Sequence, residues 1–239
     1  MINKKRHMDY IYQTENYYDN PKESFKYLFQ NVKRYMVDTN TYSLLDIGCS
    51  KGEFINYLNK NHKRYFKKLV GVDNSSTLIK EAKKNLKDHN VFFYYGNAEQ
   101  FKLNTKFDFI VISGVMGYFD NLTKVLNNIK KHLKQNGKAF IFNFFNQYDI
   151  DVILKYRNNK YFSTFETGWN MHSITTLNKI SKQLGLKIYQ KDIFHMPFKL
   201  NKKVDPGRSW TTKTDDGIKF VNGINLIYDI FLIVIGKNK

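Results

Sequence analysis

The sequence has little cysteine and no long apolar run. Its one cysteine, Cys49, excludes a disulfide framework and any zinc site built from several cysteines. No stretch approaches the roughly 18 apolar residues of a membrane-spanning helix, and the most apolar one, 224–235, is interrupted by Asn225 and Asp229. The basic N-terminus is followed by polar positions in 9–15 instead of the apolar core of a signal peptide. We therefore expect a cytoplasmic protein.

Acidic residues are scarce relative to basic ones. The 39 Lys and Arg residues stand against 21 Asp and Glu residues, which gives a formal net charge of +18. Such an excess raises the question of a nucleic-acid or anionic partner. The basic residues are mostly lysines spread through many predicted elements, and they form no single stripe. We therefore expect an anionic small substrate or a contribution to solubility, with nucleic acid as the alternative.

The 239 residues fit one α/β domain, and the pattern along the chain supports this class. Short apolar strands alternate with amphipathic helices, which predicts a largely parallel sheet that is covered on both faces. The predicted strands are 42–46, 68–73, 91–95, 107–112, 138–143, 186–194 and 228–235, with a hairpin of 210–213 and 218–221. The predicted helices are 22–37, 52–61, 75–89, 122–134 and 173–184.

A glycine-bearing turn follows the first predicted strand, in the segment Leu44-Leu45-Asp46-Ile47-Gly48-Cys49-Ser50-Lys51-Gly52-Glu53-Phe54. Glycines at 48 and 52 allow the backbone to approach a ligand at a helix N-terminus. A dinucleotide fingerprint would need glycines at 48, 50 and 53, but Ser50 and Glu53 occupy two of these positions. A carboxylate there would repel a pyrophosphate, whereas the cationic groups of S-adenosylmethionine (SAM) tolerate it. A strand–turn–helix junction without a ligand is the alternative.

With this turn the chain resembles the class I SAM-dependent methyltransferases, whose first motif runs hydrophobic-Asp/Glu-hydrophobic-Gly-x-Gly-x-Gly. Ser50 replaces the middle glycine. The resemblance covers residues 40–239 and implies a Rossmann-like α/β fold. This fold has a seven-stranded mixed sheet with an antiparallel last strand, helices on both faces, an N-terminal helical segment and an inserted hairpin. The resemblance also implies one domain over 1–239, in which 1–40 caps the cofactor and 148–172 and 199–223 are substrate-side insertions.

The resemblance implies SAM as the cofactor and S-adenosylhomocysteine as the product. We expect no metal, because metal-dependent relatives need a cluster of carboxylates and the pair Asp215-Asp216 is typical of a turn. Ligands of such sheets lie at the carboxyl ends of the strands. Asp46 and the glycine turn would hold the methionine part, and Asp73 would accept from the ribose hydroxyls unless it is only a helix N-terminal acid. Asn97 would keep an acceptor oxygen for the adenine amino group. The predicted cofactor residues are Asp46, Gly48, Cys49, Ser50, Gly52, Asp73, Asn74, Asn97, Ala98, Ser113 and Gly114.

Methyl transfer from a sulfonium is a direct displacement, so positioning is the main contribution of the protein. A hydroxyl acceptor also benefits from a general base. Many relatives carry a catalytic His where this sequence has Gly117. The remaining catalytic candidates are therefore Tyr118 and His172. Tyr118 adjoins the expected methyl site but titrates high. His172 lies in an insertion expected to face the acceptor, with a structural role as its alternative, and His195 is a weaker candidate.

The expected function is therefore methylation of an oxygen atom on a small polar, anionic molecule. A phosphate-bearing or nucleotide-linked sugar precursor of a surface polysaccharide is the example that analogy suggests. An RNA methyltransferase that uses the +18 charge is one alternative, and a non-catalytic SAM-binding partner protein is another. Amino-methylating DNA methyltransferases are excluded, because they need a proline-containing loop directly after the fourth strand and none is present there. Cytosine C5 methyltransferases are excluded, because they need a cysteine nucleophile in that region and Cys49 is the only cysteine.

Overall fold

The computed structural model describes residues 12, 14–160 and 164–238. The rest of the predicted N-terminal cap (1–11 and 13) and residues 161–163 of the first insertion lie outside the described residues. The helices are α1 (Glu23–Lys33), α2 (Glu53–His62), α3 (Ser76–Asn85), α4 (Thr123–His132) and α5 (Ile174–Gln183), with short 3-10 helices at Lys63–Tyr65 and Met116–Tyr118. The strands are β1 (Tyr42–Ile47), β2 (Phe66–Asp73), β3 (Val91–Tyr95), β4 (Phe107–Ser113), β5 (Leu133–Phe145), β6 (Lys155–Tyr156), β7 (Glu166–Thr167), β8 (Leu186–Phe194), β9 (Trp210–Thr214), β10 (Gly217–Val221) and β11 (Ile227–Lys237).

The main sheet confirms the predicted α/β fold. Strands β3, β2, β1, β4 and β5 are parallel neighbours in that order, and β11 follows antiparallel to β5. Strand β8 pairs antiparallel with the other edge of β11, which completes the seven predicted strands. The predicted hairpin, β9 and β10, joins the same sheet through Phe220 opposite Tyr228 and Val221 opposite Ile227. The described part of the sheet therefore has nine strands instead of seven.

Alternating side chains of the central strands bury both faces of the sheet. Leu44 packs with α1, α2 and α3 on one face, while its neighbour Leu45 packs with α4 and α5 on the other. Phe140 and Ile141 divide between the two faces in the same way. This alternation is what the period of two along a strand dictates. Burial on both faces explains why these strands are continuous apolar runs in the sequence.

The junction between α4 and β5 differs from the prediction. The helix was predicted to continue to 134 and to stop at Asn136-Gly137, but it ends at His132 and β5 begins at Leu133. The glycine serves close packing instead of a helix end: a Cβ on Gly137 would lie 2.9 Å from the carbonyl oxygen of Asp108 in β4. Two other helices are also shorter than predicted, α1 ending at Lys33 and α3 at Asn85.

No helix within the described ranges is long and apolar enough to cross a membrane.

Candidate functional site

The turn after β1 contacts the ends of the two strands beside β1 in the sheet, β2 and β4. The amides of Gly48 and Cys49 donate to the carbonyl of Val72 in β2, at 2.7 and 3.1 Å. Gly48 has a φ of 79°, and a Cβ there would lie 2.3 Å from the side chain of Val115 after β4. Ser50, which replaces a motif glycine, adopts the left-handed conformation with a φ of 52°. The serine therefore follows a backbone path that normally favours glycine.

A cavity of about 280 Å³ opens over this turn at the carboxyl ends of β1 to β4. Gly52 is the predicted cofactor residue that does not line it; a Cβ on Gly52 would lie 2.5 Å from the ring of Phe93, so the glycine allows α2 to start close to β3. The predicted residues that do line the cavity are Asp46, Gly48, Cys49, Ser50, Asp73, Asn74, Asn97, Ala98, Ser113 and Gly114.

Two polar side chains of this cavity lack partners among the described residues. The Asp46 carboxyl is 4% exposed, and burial, together with the charge of Asp73, raises its pKa to about 8. The Ser50 hydroxyl oxygen is buried and has no hydrogen-bond partner within the ranges that the structure describes. A buried polar group without a partner is costly, and a ligand with a cationic group and a hydrogen-bonding carboxylate would satisfy both. The methionine part of SAM carries these two groups, so these residues fit it.

Asp73 at the end of β2 already holds the turn together. Its Oδ2 accepts from the amide of Ser50 at 2.9 Å and its Oδ1 accepts from the amide of Ser75 at 2.8 Å. Ser75 caps α3, because its hydroxyl accepts from the amide of Leu78. Each carboxylate oxygen can accept more than one hydrogen bond, so these two bonds do not exclude further donors such as the hydroxyls of a diol. The two predicted roles of Asp73, helix-terminal acid and ribose acceptor, are compatible in this geometry.

Asn97 and Cys49 have roles within the protein as well. The Asn97 side-chain oxygen accepts from the amide of Glu99 at 2.8 Å, so part of its acceptor capacity is used in a turn. Cys49 is buried and unpaired, and burial raises the pKa of its thiol well above the usual value. Such a thiol is not a reactive nucleophile.

The described part of the N-terminal cap lies over the glycine turn. The amide of Tyr17 donates to Glu53 at 2.9 Å, and the hydroxyl of Tyr18 donates to the carbonyl of Lys51. The carbonyl of Tyr18 in turn accepts from Asn56 of α2 at 3.2 Å. These bonds join residues that are more than 30 positions apart, so the cap is docked on the same loop that the sequence motif marks.

A second cavity of about 500 Å³ adjoins the first. Its walls combine side chains of β5, β8, β10 and β11 with both predicted insertions. Aromatic rings are the largest group of wall residues: Phe144 stacks on Trp169 with centroids 5.2 Å apart, and Phe220 stacks on Tyr228 at 6.0 Å. Further wall residues are Phe142, Phe194, Met196, Phe198, Leu200 and Ile230. The residues that border both cavities are Tyr12, Lys22, Ser24, Gly114 and Tyr118.

The second cavity also carries positive charge. Arg208 donates to Glu15 at 2.6 Å, and Lys203 lies 3.7 Å from the same carboxylate. Lys22 lies where the cavities meet, with its Nζ 4.1 Å from the ring centroid of Tyr17. Burial, helped by the charge of Arg208, lowers the pKa of Lys22 to about 8. Sequence reasoning missed Lys22, because nothing in the local pattern distinguishes it from the other lysines.

The two predicted catalytic residues have different positions. Tyr118, in the 3-10 helix after β4, borders both cavities. His172 is 3% exposed and lines neither cavity. Its Nε2 lies 2.8 Å from the carbonyl of Phe119, so it must carry the hydrogen and donate it there. The imidazole thus anchors the segment that contains Tyr118 without contacting either cavity. His195 is exposed and also lies outside both cavities.

The described ranges contain no group of three His, Cys, Asp or Glu side chains that could hold a metal ion.

Comparison with known proteins gives one family. A family model described as a methyltransferase domain matches residues 17–191. Two malonyl-acyl-carrier-protein O-methyltransferases are similar over part of the chain. The one from Priestia megaterium is 26% identical over 164 residues, which are 67% of this chain and 57% of the relative. The one from Bacillus cereus is 26% identical over 141 residues, 57% of this chain and 52% of the relative. The chain thus spans about half the length of these curated relatives.

Solved structures give the same fold. A SAM-dependent methyltransferase from Clostridium acetobutylicum superposes with a TM-score of 0.61 at 15% identity, covering 97% of this chain and 98% of that one. A SAM-dependent methyltransferase from Methanosarcina mazei gives 0.60 at 14% identity, covering 87% and 96%. At these identities the likeness concerns the fold alone.

Proposed function

The chain belongs to the methyltransferase-domain family, among the class I SAM-dependent methyltransferases, and we propose that it methylates an oxygen atom of a small molecule. The observation that carries this proposal is the pair of adjoining cavities. One lies over the glycine turn and suits SAM; the other has a wall of rings and suits an acceptor. They meet at Gly114 and Tyr118, where a Cβ on Gly114 would meet no atom within 4 Å. This opening would allow an acceptor to reach the methyl group.

We assign the cofactor groups to residues as follows. The Asp46 carboxylate would bind the amino group, and the Ser50 hydroxyl would donate to the carboxylate of the methionine part. Asp73 would accept from the ribose hydroxyls, and Asn97 with Ala98 would lie along the adenine. When bound, SAM supplies an electrophilic methyl group on a sulfonium. The part of the protein is to fix that group in line with the acceptor oxygen, which is worth up to ~7–11 kcal/mol in favourable cases.

Two features support an oxygen atom on an anionic acceptor. The relatives from Priestia megaterium and Bacillus cereus are named O-methyltransferases. The second cavity has Lys22, Lys203 and Arg208 along its wall. A phosphate-bearing or nucleotide-linked sugar precursor of a surface polysaccharide is the finer proposal from the sequence. The many aromatic and aliphatic wall residues favour an acceptor with a less polar body than a sugar.

We assign no proton transfer to His172. Its Nε2–H is committed to the Phe119 carbonyl, and the ring is 3% exposed. A role in positioning the segment that ends in Tyr118 and Phe119 accounts for this geometry. An anionic acceptor needs no general base, so this assignment agrees with the preferred acceptor class.

Isothermal titration with S-adenosylhomocysteine tests the proposal, with NAD as the comparison ligand. We expect the former to bind and NAD not to bind, because Ser50 and Glu53 replace two glycines of the dinucleotide motif. Failure of S-adenosylhomocysteine to bind would contradict the proposal. Methylation of RNA, with binding that falls steeply with salt, would replace the small-molecule acceptor by the RNA alternative. Binding without turnover on any acceptor would favour the non-catalytic alternative.

A further inference from the structure

We infer that the second cavity binds a small carboxylic acid with an aromatic or acyl body, and that its carboxylate, held by Lys22, is the group that is methylated. This inference rests on the proposed function and narrows its acceptor. It would make the protein a carboxyl methyltransferase whose product is a methyl ester. The grounds are the position of Lys22, the charge around it, the wall of the cavity and the burial of His172.

The position of Lys22 places a cation where the methyl group would be transferred. Lys22 precedes α1 and borders both cavities, as Gly114 and Tyr118 also do. Its Nζ lies over two rings, 4.1 Å from the centroid of Tyr17 and 5.7 Å from that of Phe25. Rings attract an ammonium but do not neutralise it. An anion bound to Lys22 would therefore lie at the junction itself.

The carboxylates near Lys22 are engaged by other donors. Glu15 is held by Arg208 at 2.6 Å and by Lys203 at 3.7 Å. Glu53 accepts from the amide of Tyr17 at 2.9 Å. Among the described residues, no hydrogen bond or ion pair reaches the Nζ of Lys22. The charges of Glu53 and Glu15 favour the ammonium form of Lys22 without meeting it directly, so the hydrogen bonds of its Nζ are available to the carboxylate of a ligand.

The charge balance favours a monoanion. Arg208 is already paired, and Lys203 has a side chain that is 58% exposed, so its charge is screened by solvent. The charges of Glu53 and Glu15 already act on Lys22, so little positive charge is left for a ligand. This balance suits one carboxylate better than a phosphate monoester, which carries nearly two charges at neutral pH. This difference separates the carboxylic acid from the phosphate-bearing acceptors that the sequence suggested.

The wall of the cavity suits an apolar body. Stacked pairs such as Phe144 with Trp169 and Phe220 with Tyr228 offer flat surfaces. The volume of about 500 Å³ lies within the range of roughly 300–1,000 Å³ that is usual for small-molecule sites. A body of one or two rings, or a medium acyl chain, would fill it with its carboxylate at Lys22.

The chemistry balances without a base. A carboxylate oxygen forms a bond to the methyl carbon as the carbon–sulfur bond breaks, and the electron pair of that bond remains on sulfur. The products are a neutral methyl ester and neutral S-adenosylhomocysteine, and no proton moves. This agrees with the position of His172 outside both cavities. Since the ester no longer carries the charge that Lys22 binds, the product is released more readily than the acid would be.

Binding and transfer can be measured with defined probes. We would use 3-phenylpropanoate, biphenyl-4-carboxylate and octanoate, each beside its primary amide and its alcohol, with phenyl phosphate as the dianionic probe. Binding is followed by quenching of Trp169 fluorescence in a Trp210→Phe background, with S-adenosylhomocysteine present. Transfer is followed with labelled SAM, because alkali releases methanol from a methyl ester and not from an ether. We expect at least one acid to bind at least tenfold more tightly than its amide and to yield alkali-labile label.

Variants of Lys22 separate a specific contact from general charge. Lys22→Met should weaken binding of that acid by ~10–100-fold, the loss of one hydrogen bond to a charged group. Binding of the amide should change by less than about threefold, the range expected where no charged contact is lost. Lys22→Arg should restore most of the loss. Lys33→Met is the matched control, because Lys33 is on α1, lies 5.6 Å from the ring of Tyr65 and is outside both cavities.

The outcomes distinguish this inference from the proposed function. If S-adenosylhomocysteine does not bind to the unaltered protein, the proposed function fails. If it binds, three results would each overturn the inference alone: no acid exceeds its amide, Lys22→Met leaves acid binding unchanged, or the label appears on an alcohol in alkali-stable form. Preference for phenyl phosphate over all three acids would also overturn it, in favour of a phosphate-bearing acceptor.

Discussion

The two cavities differ in how their residues are distributed along the chain. The first cavity is built mainly from short segments that follow β1, β2, β3 and β4, and backbone amides and glycines form much of it. The second cavity gathers single side chains from positions as distant as 12 and 230, and aromatic rings are the largest group among them. Local sequence motifs therefore predict the residues of the first cavity, whereas the second cavity forms only when the sheet, the cap and the insertions pack together.

The largest expected effect concerns the first cavity and comes from Asp46→Asn. The neutral amide can accept a hydrogen bond from an ammonium group but cannot form an ion pair with it, and removing one partner of a buried charge pair costs ~2–5 kcal/mol. We expect the affinity for S-adenosylhomocysteine to fall at least ~30-fold at pH 8.5, measured by calorimetry. Asp38→Asn, at an exposed position outside both cavities, is the control. An unchanged dissociation constant would remove Asp46 from the cofactor site.

The pH dependence of cofactor binding is the next largest effect. Burial and the charge of Asp73 raise the pKa of Asp46 to about 8, so its carboxyl is largely protonated at pH 6. A ligand ammonium requires the carboxylate, so binding releases a proton and affinity should rise ~10–50-fold between pH 6 and pH 8. Titration in buffers of different ionisation enthalpy measures this proton. A flat profile, or the same slope in Asp46→Asn, would contradict it.

The free energy of unfolding of the unliganded protein should change with pH in the direction opposite to cofactor affinity. The folded state of the unliganded protein holds the Asp46 proton more tightly than the unfolded state does, because the folded pKa of about 8 is above the usual 3.8. This stabilising contribution is complete below the unfolded pKa and is lost as pH rises through the window from about 4 to about 8. S-adenosylhomocysteine should offset the loss at the upper end of this window.

A smaller effect is expected in the second cavity, from Trp169→Leu. The variant removes a ring that stacks on Phe144, and such a contact is worth ~0.5–1.5 kcal/mol beyond area burial. We expect KM for an acid that accepts the methyl group to rise ~10-fold, because the loss of buried apolar contact with the acid adds to the loss of stacking. The affinity for S-adenosylhomocysteine should stay within twofold, roughly the scatter expected where no contact changes. Trp210→Leu, outside both cavities, is the control. A loss of cofactor affinity equal to the loss for the acid would show that the two cavities are not separable.

The smallest effect concerns the turn itself. Ser50 has a φ of 52°, a conformation that costs a non-glycine residue roughly 1–2 kcal/mol. Ser50→Gly should relieve this strain but increase the freedom of the unfolded chain, so we expect a net gain of about 0.5 kcal/mol in unfolding free energy. The same variant removes the Ser50 hydroxyl that we propose as a donor to the cofactor. The affinity for S-adenosylhomocysteine should therefore fall slightly. A destabilised variant would indicate that the Ser50 side chain holds the turn together.

The contrast between the cavities explains what the sequence could predict. The strand ends at Asp46, Asp73 and Asn97 follow directly from apolar runs that end on polar residues, and the turn is visible in its glycines. The hairpin was visible in the same local way, whereas the antiparallel direction of the last strand was implied only by the resemblance to the methyltransferase sheet. Lys22 could not be recognised, because its position between the cavities depends on how the cap packs over α2. His172 could not be judged either, since its partner is a backbone carbonyl 53 positions away.

The central claim is that SAM lies in the first cavity with its methyl group directed into the second. A crystal structure with S-adenosylhomocysteine tests it most directly. We expect its amino group within hydrogen-bond distance of Asp46, its ribose at Asp73 and its sulfur at the junction bordered by Gly114, Tyr118 and Lys22. A ligand bound in the second cavity, or one whose sulfur points away from that junction, would contradict the claim.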